Sequence, residues 1–435
     1  MRIQRFALIL IVLSLLLSLN LHGATYFVLS GASGNGTSWA NAWGSPSSIS
    51  WSSLNPGDTV CIAGGTYSTG ISTTKSGNSS NPITLHRATA SDSVCGSTTS
   101  GWSSSYDGQV IINGGNIEIG SNYITIDGMV ANGIQVVMPN PSGSYFVGIA
   151  GDVGPTSNVT LRNIEVAGPC PNGTLCEQNN DHRSLEIEHW NGSSYDTQSN
   201  WLVQSVNLHG ACNNMVIYGA QNMIIENSRL ADSLSTNGNY CHPNVGNIGA
   251  STVTFRWNEV VDWDTEGLMF LDSATWYVYG NIWHDPSTSS YPRVMESQIS
   301  NALVYFYNNT LVNIPYATVD TANGGTWSSN SQGRNNIYWN TNGAGGLASD
   351  DYDYSDKSLS ETHGEGNAAN IFVNYSAGTV AGYHITQHTN AGLNLGAPYN
   401  VDYDGNTRVN WDRGALEFDG SAAPSPPTGL TAAVQ

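Results

Sequence analysis

Between positions 182 and 293 the sequence gathers the side chains that carry protons and charge: His182, Arg183, His209, Asp232, Tyr240, His242, Asp262, Asp264, Glu266, His284 and Arg293. In a chain with only 11% charged residues this is a marked concentration. Paired carboxyl groups about 6.5–9.5 Å apart supply the acid and the base of glycosidic-bond hydrolysis, and neighbouring carboxylates drive their pKa values apart. Asp232, Asp262, Asp264 and Glu266 are therefore the expected catalytic carboxylates, with His209 and His284 orienting or tuning them. His182, Arg183, Tyr240, His242, Trp263 and Arg293 are the expected substrate contacts. The same residues also permit β-elimination on a uronate. Arg183 or Arg293 would then act as base or neutraliser, Tyr240 or His242 would transfer the proton, and Asp262, Asp264 and Glu266 would hold Ca2+. A bland reading stands beside both: 262–266 as a structural calcium loop or an ordinary turn, and the two histidines as satisfied members of a stack.

These residues follow a recurring pattern. Segments 158–166, 200–208, 222–230, 252–260, 275–282 and 302–311 each alternate apolar and polar residues, break at a polar residue, and alternate again; a weaker copy covers 122–130. Alternation with period two marks strands with one buried face. The breaks at Ser205, Asn227, Asn258, Asn281, Asn309 and Asn336 recur between about 22 and 31 residues apart, the length of one coil of three short strands. Asn at the bend tolerates left-handed backbone and can bond its neighbour one coil away. The ionisable residues come just after the repeat in successive coils, so the pattern predicts a ladder of them over one groove.

The repeat resembles that of secreted right-handed parallel β-helix proteins, the pectate lyase and polygalacturonase-like superfamily. The opening segments 26–30, 37–40, 56–60 and 64–67 resemble the usual entry into such helices. Asp402, Asp404, Arg408 and the stretch 411–418 resemble a terminal module of secreted bacterial members. The resemblance implies an all-β, single-domain solenoid over residues 25–420. It does not select an activity, since such families include lyases, hydrolases, epimerases and adhesins. The sequence motifs of polygalacturonases are absent, while 293–297 resembles alginate-type lyases.

Residues 1–24 read as a signal peptide, with Arg2 and Arg5 before an apolar run from Phe6 to Leu19. No second apolar run follows, so the expectation is an extracellular or periplasmic monomer without a membrane span. The net charge of −20 opposes nucleic acid and anionic membranes as partners and tilts the reading from a polyanionic glycan towards hydrolysis. A non-catalytic glycan-binding or surface protein is the third expectation. Six cysteines in an exported chain predict disulfides, with Cys61–Cys95, Cys170–Cys176 and Cys212–Cys241 as the expected pairs. Trp190, Trp263 and Trp283 offer sugar-stacking faces, whereas Trp201 and Trp276 occupy strand positions and belong to the core. The acidic stretch 350–357 reads as a solvated loop, Asp402 and Asp404 as structural, and the Pro-rich tail 421–435 as an extended linker.

Overall fold

A computed structural model describes residues 23–139, 145–170, 181–234, 242–287, 291–316 and 318–420. Its strands form three parallel sheets of 12, 11 and 9 members, here called A, B and C. Each coil runs from a sheet A strand through a tight bend into sheet B, then through a longer connection into sheet C. Coil 198–217 is typical: Gln198–Gln204 lies in A, Asn207–His209 in B and Asn213–Ile217 in C. Successive coils pair in parallel, as Leu202 with Ile224, Leu208 with Leu230 and Met215 with Gly246. The molecule is a right-handed parallel β-helix. Alternation fills its interior: Ile126, Leu161, Val203, Ile225, Phe255, Val278 and Phe306 stack along sheet A, all at most 1% exposed. Such stacking lets each coil add core without starting a new one.

The bend between sheets A and B departs from expectation by one residue. Ser205 and Asn227 have positive φ as expected, but in the next four coils the left-handed position belongs to Trp257, Gly280, Asn308 and Asn335. Asn258, Asn281, Asn309 and Asn336 follow it and are fully buried. Their amides form a continuous ladder, Nδ2 of each donating to Oδ1 of the next at 3.0–3.2 Å, and Asn336 donates to Asp353. The ladder ends on a buried carboxylate, which corrects the solvated-loop reading of 350–357. Ser349–Asp351 and Tyr354–Ser355 are strands of the final coil.

Residues beyond this coil wrap back over sheet B. Phe372, Tyr383, Ile385 and Leu416 pack against the outer side chains Ile282, Val312, Ile337 and Trp339. Asp402 accepts bonds from the backbone of Asp404, Asn406 and Glu417, so the acidic group of this module is structural. Cys61 and Cys95 are bridged. Cys170 and Cys212 are also disulfide-bonded, and their expected partners Cys176 and Cys241 fall outside the described residues, as do residues 1–22 of the expected signal peptide and the tail. Among the described residues no helix is long and apolar enough to cross a membrane.

Candidate active site

The residues expected to share one groove are divided among three places. The first is the corner where sheet B ends. His209, Ala231, Val261, His284, Val312 and Trp339 are in register. The residue after each, Gly210, Asp232, Asp262, Asp285, Asn313 and Asn340, has positive φ. Asp and Asn are the non-glycine residues that accept this conformation most readily. Later members bond along the stack, Asn313 Nδ2 to Asp285 Oδ1 at 2.6 Å and Asn340 Nδ2 to Asn313 Oδ1 at 2.7 Å. The corner is thus a second ladder, in which Asp232 and Asp262 are turn-formers first.

Two adjacent carboxyls nevertheless distinguish this end of the ladder. Asp262 is hydrogen-bonded to Asp232, and its pKa is pushed up to about 6 by burial, then by the Asp232 charge and that bond, with Asp264 adding to it. His209 lies beside them, its Nε2 3.0 Å from Glu165 and its Nδ1 4.0 Å from Asp232. The folded-state pKa of Asp262 is above its unfolded value of 3.8, so the protonated pair is the stable form. Stability is lost as pH rises from below 3.8 through about 6. Asp262→Asn restores the amide chemistry of the later coils. It should gain about 1–2 kcal/mol at neutral pH, allowing for partial exposure, and the gain should shrink towards pH ~3.5. Urea midpoints at the two pH values measure it; an equal gain at both would contradict the shared proton.

The second place is the interior. Trp263 is fully buried and donates its Nε1 to the carbonyl of Arg293, so it is a core residue and not a substrate contact. Trp283 is buried against it, their rings 6.0 Å apart. His182 is also fully buried, edge-on to Phe146, and contacts no groove. His284 is 1% exposed beneath Tyr383. Its Nε2 meets Glu259 at 3.1 Å and its Nδ1 meets Asp285 at 2.9 Å. Burial opposes its charge, but those two carboxylates outweigh burial and hold its pKa above the ordinary value. It clamps the terminal module to the coil and is not available for catalysis.

The third place is the outer face of sheet C, where charged and amide side chains gather; Glu186, Glu266 and Glu296 are themselves buried in this cluster, while Arg183 and Arg293 are partly exposed. Register aligns Glu186, Val216, Asn247, Met269, Glu296 and Asp320 along this face. At one end Arg183 binds Asp181 at 3.0 Å, Glu186 at 2.6 Å and Glu188 at 3.3 Å, with its guanidinium 5.0 Å from the Tyr145 ring. Four strands further along, Arg293 repeats the arrangement. It meets Glu266 at 2.7 Å, Glu296 at 3.2 Å and Asp320 at 2.7 Å, beside the Tyr316 ring at 5.0 Å. At about 4.8 Å per strand the two units lie about 19 Å apart. The floor between them carries uncharged amides, Asn247 donating to Asn213 at 3.0 Å and Asn244 to Asn247 at 2.6 Å.

Around Arg293 the groups sit in unlike surroundings. Burial pushes the Glu296 carboxyl up, the Gln298 amide offsets part of this, and the Glu266 charge adds to it. Glu266 begins the strand Glu266–Phe270, its backbone N–H held by Asn244 Oδ1 at 3.2 Å. His242 Nδ1 sits 3.1 Å from Glu266 Oε2, and this bond raises the imidazole pKa. Of the expected residues, sheet C therefore unites Glu266, Arg183, His242 and Arg293. It adds Glu186, Glu188 and Glu296, which sequence reasoning passed over. Tyr240 lies outside the described residues. Asp262, Asp264 and Glu266 do not bring one carboxylate oxygen each within 4.8 Å of one another. Among the described residues the one group of three potential ligands within 4.8 Å is Cys61, His86 and Cys95, two of which are joined as a disulfide.

The architecture is a parallel β-helix of three sheets. No protein-family model matches the chain, and no curated protein matches it. Among solved structures the chain is similar to XylC in complex with xylose, at 9% identity and a TM-score of 0.54 over 90% of this chain and 98% of the other. It also matches pectate lyase Pel9A, at 12% identity and a TM-score of 0.45 over 90% and 96% of the two chains. An alginate lyase from Paenibacillus sp. matches at 15% identity and a TM-score of 0.35, over 69% of this chain and 97% of the other. The likeness to XylC concerns the fold alone.

Proposed function

We propose that this chain is a secreted carbohydrate-active enzyme that hydrolyses glycosidic bonds of an extracellular polysaccharide laid along sheet C. The observation that carries the reading is one guanidinium, Arg293, holding two carboxyl groups of unlike character. Glu296, pushed towards its protonated form by burial, is the acid that protonates the leaving oxygen. Glu266, paired with Arg293 and His242, is the carboxylate that activates water or attacks the sugar. This is the division of labour that glycoside hydrolysis requires.

Charge favours hydrolysis of a neutral glycan over elimination on a uronate. Along the cleft, six carboxylates face two guanidinium groups. Three acids surround each arginine, and with Glu296 protonated two carboxylates still face Arg293, so neither guanidinium has charge to spare for a substrate carboxylate, and the excess negative field repels a polyanion. The amide floor offers donors and acceptors suited to sugar hydroxyls.

A second reading rests on Asp232 and Asp262, whose shared proton also gives one acid and one base, beside His209. Amide variants separate the two. Activity lost in Glu266→Gln and Glu296→Gln assigns the chemistry to sheet C; activity lost only in Asp232→Asn and Asp262→Asn assigns it to the corner and overturns the first reading.

A further inference from the structure

The turn that leaves sheet C after Ile187 carries an aromatic group with no structural task evident in its contacts. Trp190 is 55% exposed. Its ring stands edge-on to Tyr195 at 5.1 Å, and Tyr195 lies 4.5 Å from Tyr218 of the next coil. The Tyr218 ring in turn covers the backbone of Gly249, where any side chain would collide with it. The turn is held firmly. Trp190 and Tyr195 form an antiparallel bridge. His189 Nδ1 is 2.6 Å from Asp196, and Asn191 ties to Asp196 at 2.7 Å while its own oxygen accepts the N–H groups of Ser193 and Ser194. These bonds brace the turn in a shape that holds the large apolar face of Trp190 outward.

Its position gives the occupant. Glu188, two residues before Trp190, bonds the Arg183 guanidinium at 3.3 Å, and its charge acts on both Tyr195 and Tyr218. The shelf is therefore continuous with the Arg183 end of the cleft. Among the described residues three aromatic side chains are strongly exposed, Tyr145, Trp190 and Tyr291. All three lie in connections that enter or leave sheet C strands. An apolar ring face beside charged and amide groups is complementary to a pyranose, which presents C–H faces and equatorial hydroxyls together.

We propose that Trp190, Tyr195 and Tyr218 form a distal sugar-binding subsite of the cleft, holding a neutral polysaccharide chain about three coils from Glu266. The assignment rests on the reading of sheet C as the glycan cleft. It implies that productive substrates are long chains spanning both arginine units, and that cleavage falls within them.

The test is affinity electrophoresis of the Glu266→Gln chain through gels containing arabinoxylan, mixed-linkage β-glucan or galactomannan. Trp190→Ala and Trp190→Phe are compared in that background, with Val409→Ala, 78% exposed on the terminal module, as control. Retardation in at least one gel is expected, weakened about tenfold by Trp190→Ala, less by Trp190→Phe, and unchanged by Val409→Ala; loss of one aromatic platform corresponds to that factor. Equal retardation of all variants, or retardation in none of the gels, overturns the subsite. Release of reducing ends by the parent chain is scored separately. If a glycan is cleaved but binds independently of Trp190, the subsite fails and the hydrolase reading stands. If binding depends on Trp190 but nothing is cleaved, the catalytic assignment fails and the subsite stands.

Discussion

Glu266→Gln should lower turnover on the true substrate by about three orders of magnitude and leave the coil intact. The amide is isosteric, and its oxygen still accepts from Arg293 at the position where Glu266 Oε1 now lies 2.7 Å away. The backbone anchor from Asn244 is untouched, since it is made to the Glu266 N–H. What disappears is the negative charge and the capacity to take a proton or attack carbon, which typically accounts for about 10²–10⁴ in rate. Two further readouts separate catalysis from structure. His242 loses the partner that holds its pKa up, so its titration should move down towards the ordinary imidazole range. Glu296 loses the neighbouring charge that helps to raise it, so the alkaline limb of the pH–rate profile, where this acid gives up its proton, should also move down. Unchanged turnover in this variant would place the chemistry elsewhere.

Asn281→Ala should be among the most destabilising single changes in the chain, at about 2–4 kcal/mol. The side chain is fully buried in the middle of the ladder. Its Nδ2 donates to the Phe255 carbonyl at 2.9 Å and to Asn309 Oδ1 at 3.0 Å. Its Oδ1 accepts from the Asn258 backbone at 2.9 Å and from the Asn258 side chain at 3.1 Å. Truncation strands polar groups on both adjacent coils, and each buried group left without a partner costs about 1–3 kcal/mol. Compensation through the remaining Asn309 bond to the Asn281 backbone keeps the total below the simple sum. Urea unfolding measures the loss; a change within about 0.5 kcal/mol would mean that water replaces the amide and that the ladder is not a stabilising element.

The sequence pattern gave strand positions reliably because period two is a direct image of inside and outside. Segment 158–166 contains Ser157–Arg162 and Ile164–Ala167 almost residue for residue, with Asn163 between them. The register slipped by one at Trp257, a bulky residue in left-handed backbone that no propensity favours; its ring is held by Arg256 at 4.1 Å. Asn258 then looked like the bend although it is the ladder amide beside it. The site was legible only in part for a related reason. Reading the connections placed Asp232 and Asp262 in one groove with Glu266, but left-handed residues at the end of sheet B turn the chain there. The catalytic candidate Glu296 was hidden inside the strand Arg293–Ser297, where an outward side chain resembles an ordinary polar position. One signal was present: Arg183 with Glu186 and Arg293 with Glu296 repeat the same spacing in a chain with few charges. The burial of Trp263 and His284 had no such signal, because each is covered by residues distant in sequence, the latter by Tyr383.

Incubation of the purified chain with neutral and uronate-containing polysaccharides, with and without chelator, tests the central claim most directly. Reducing ends and the ultraviolet absorbance of unsaturated products are followed together. The account predicts reducing ends from a neutral glycan, no unsaturated product, and no loss of activity with chelator. Unsaturated ends from a uronate chain, abolished by chelator, would contradict it.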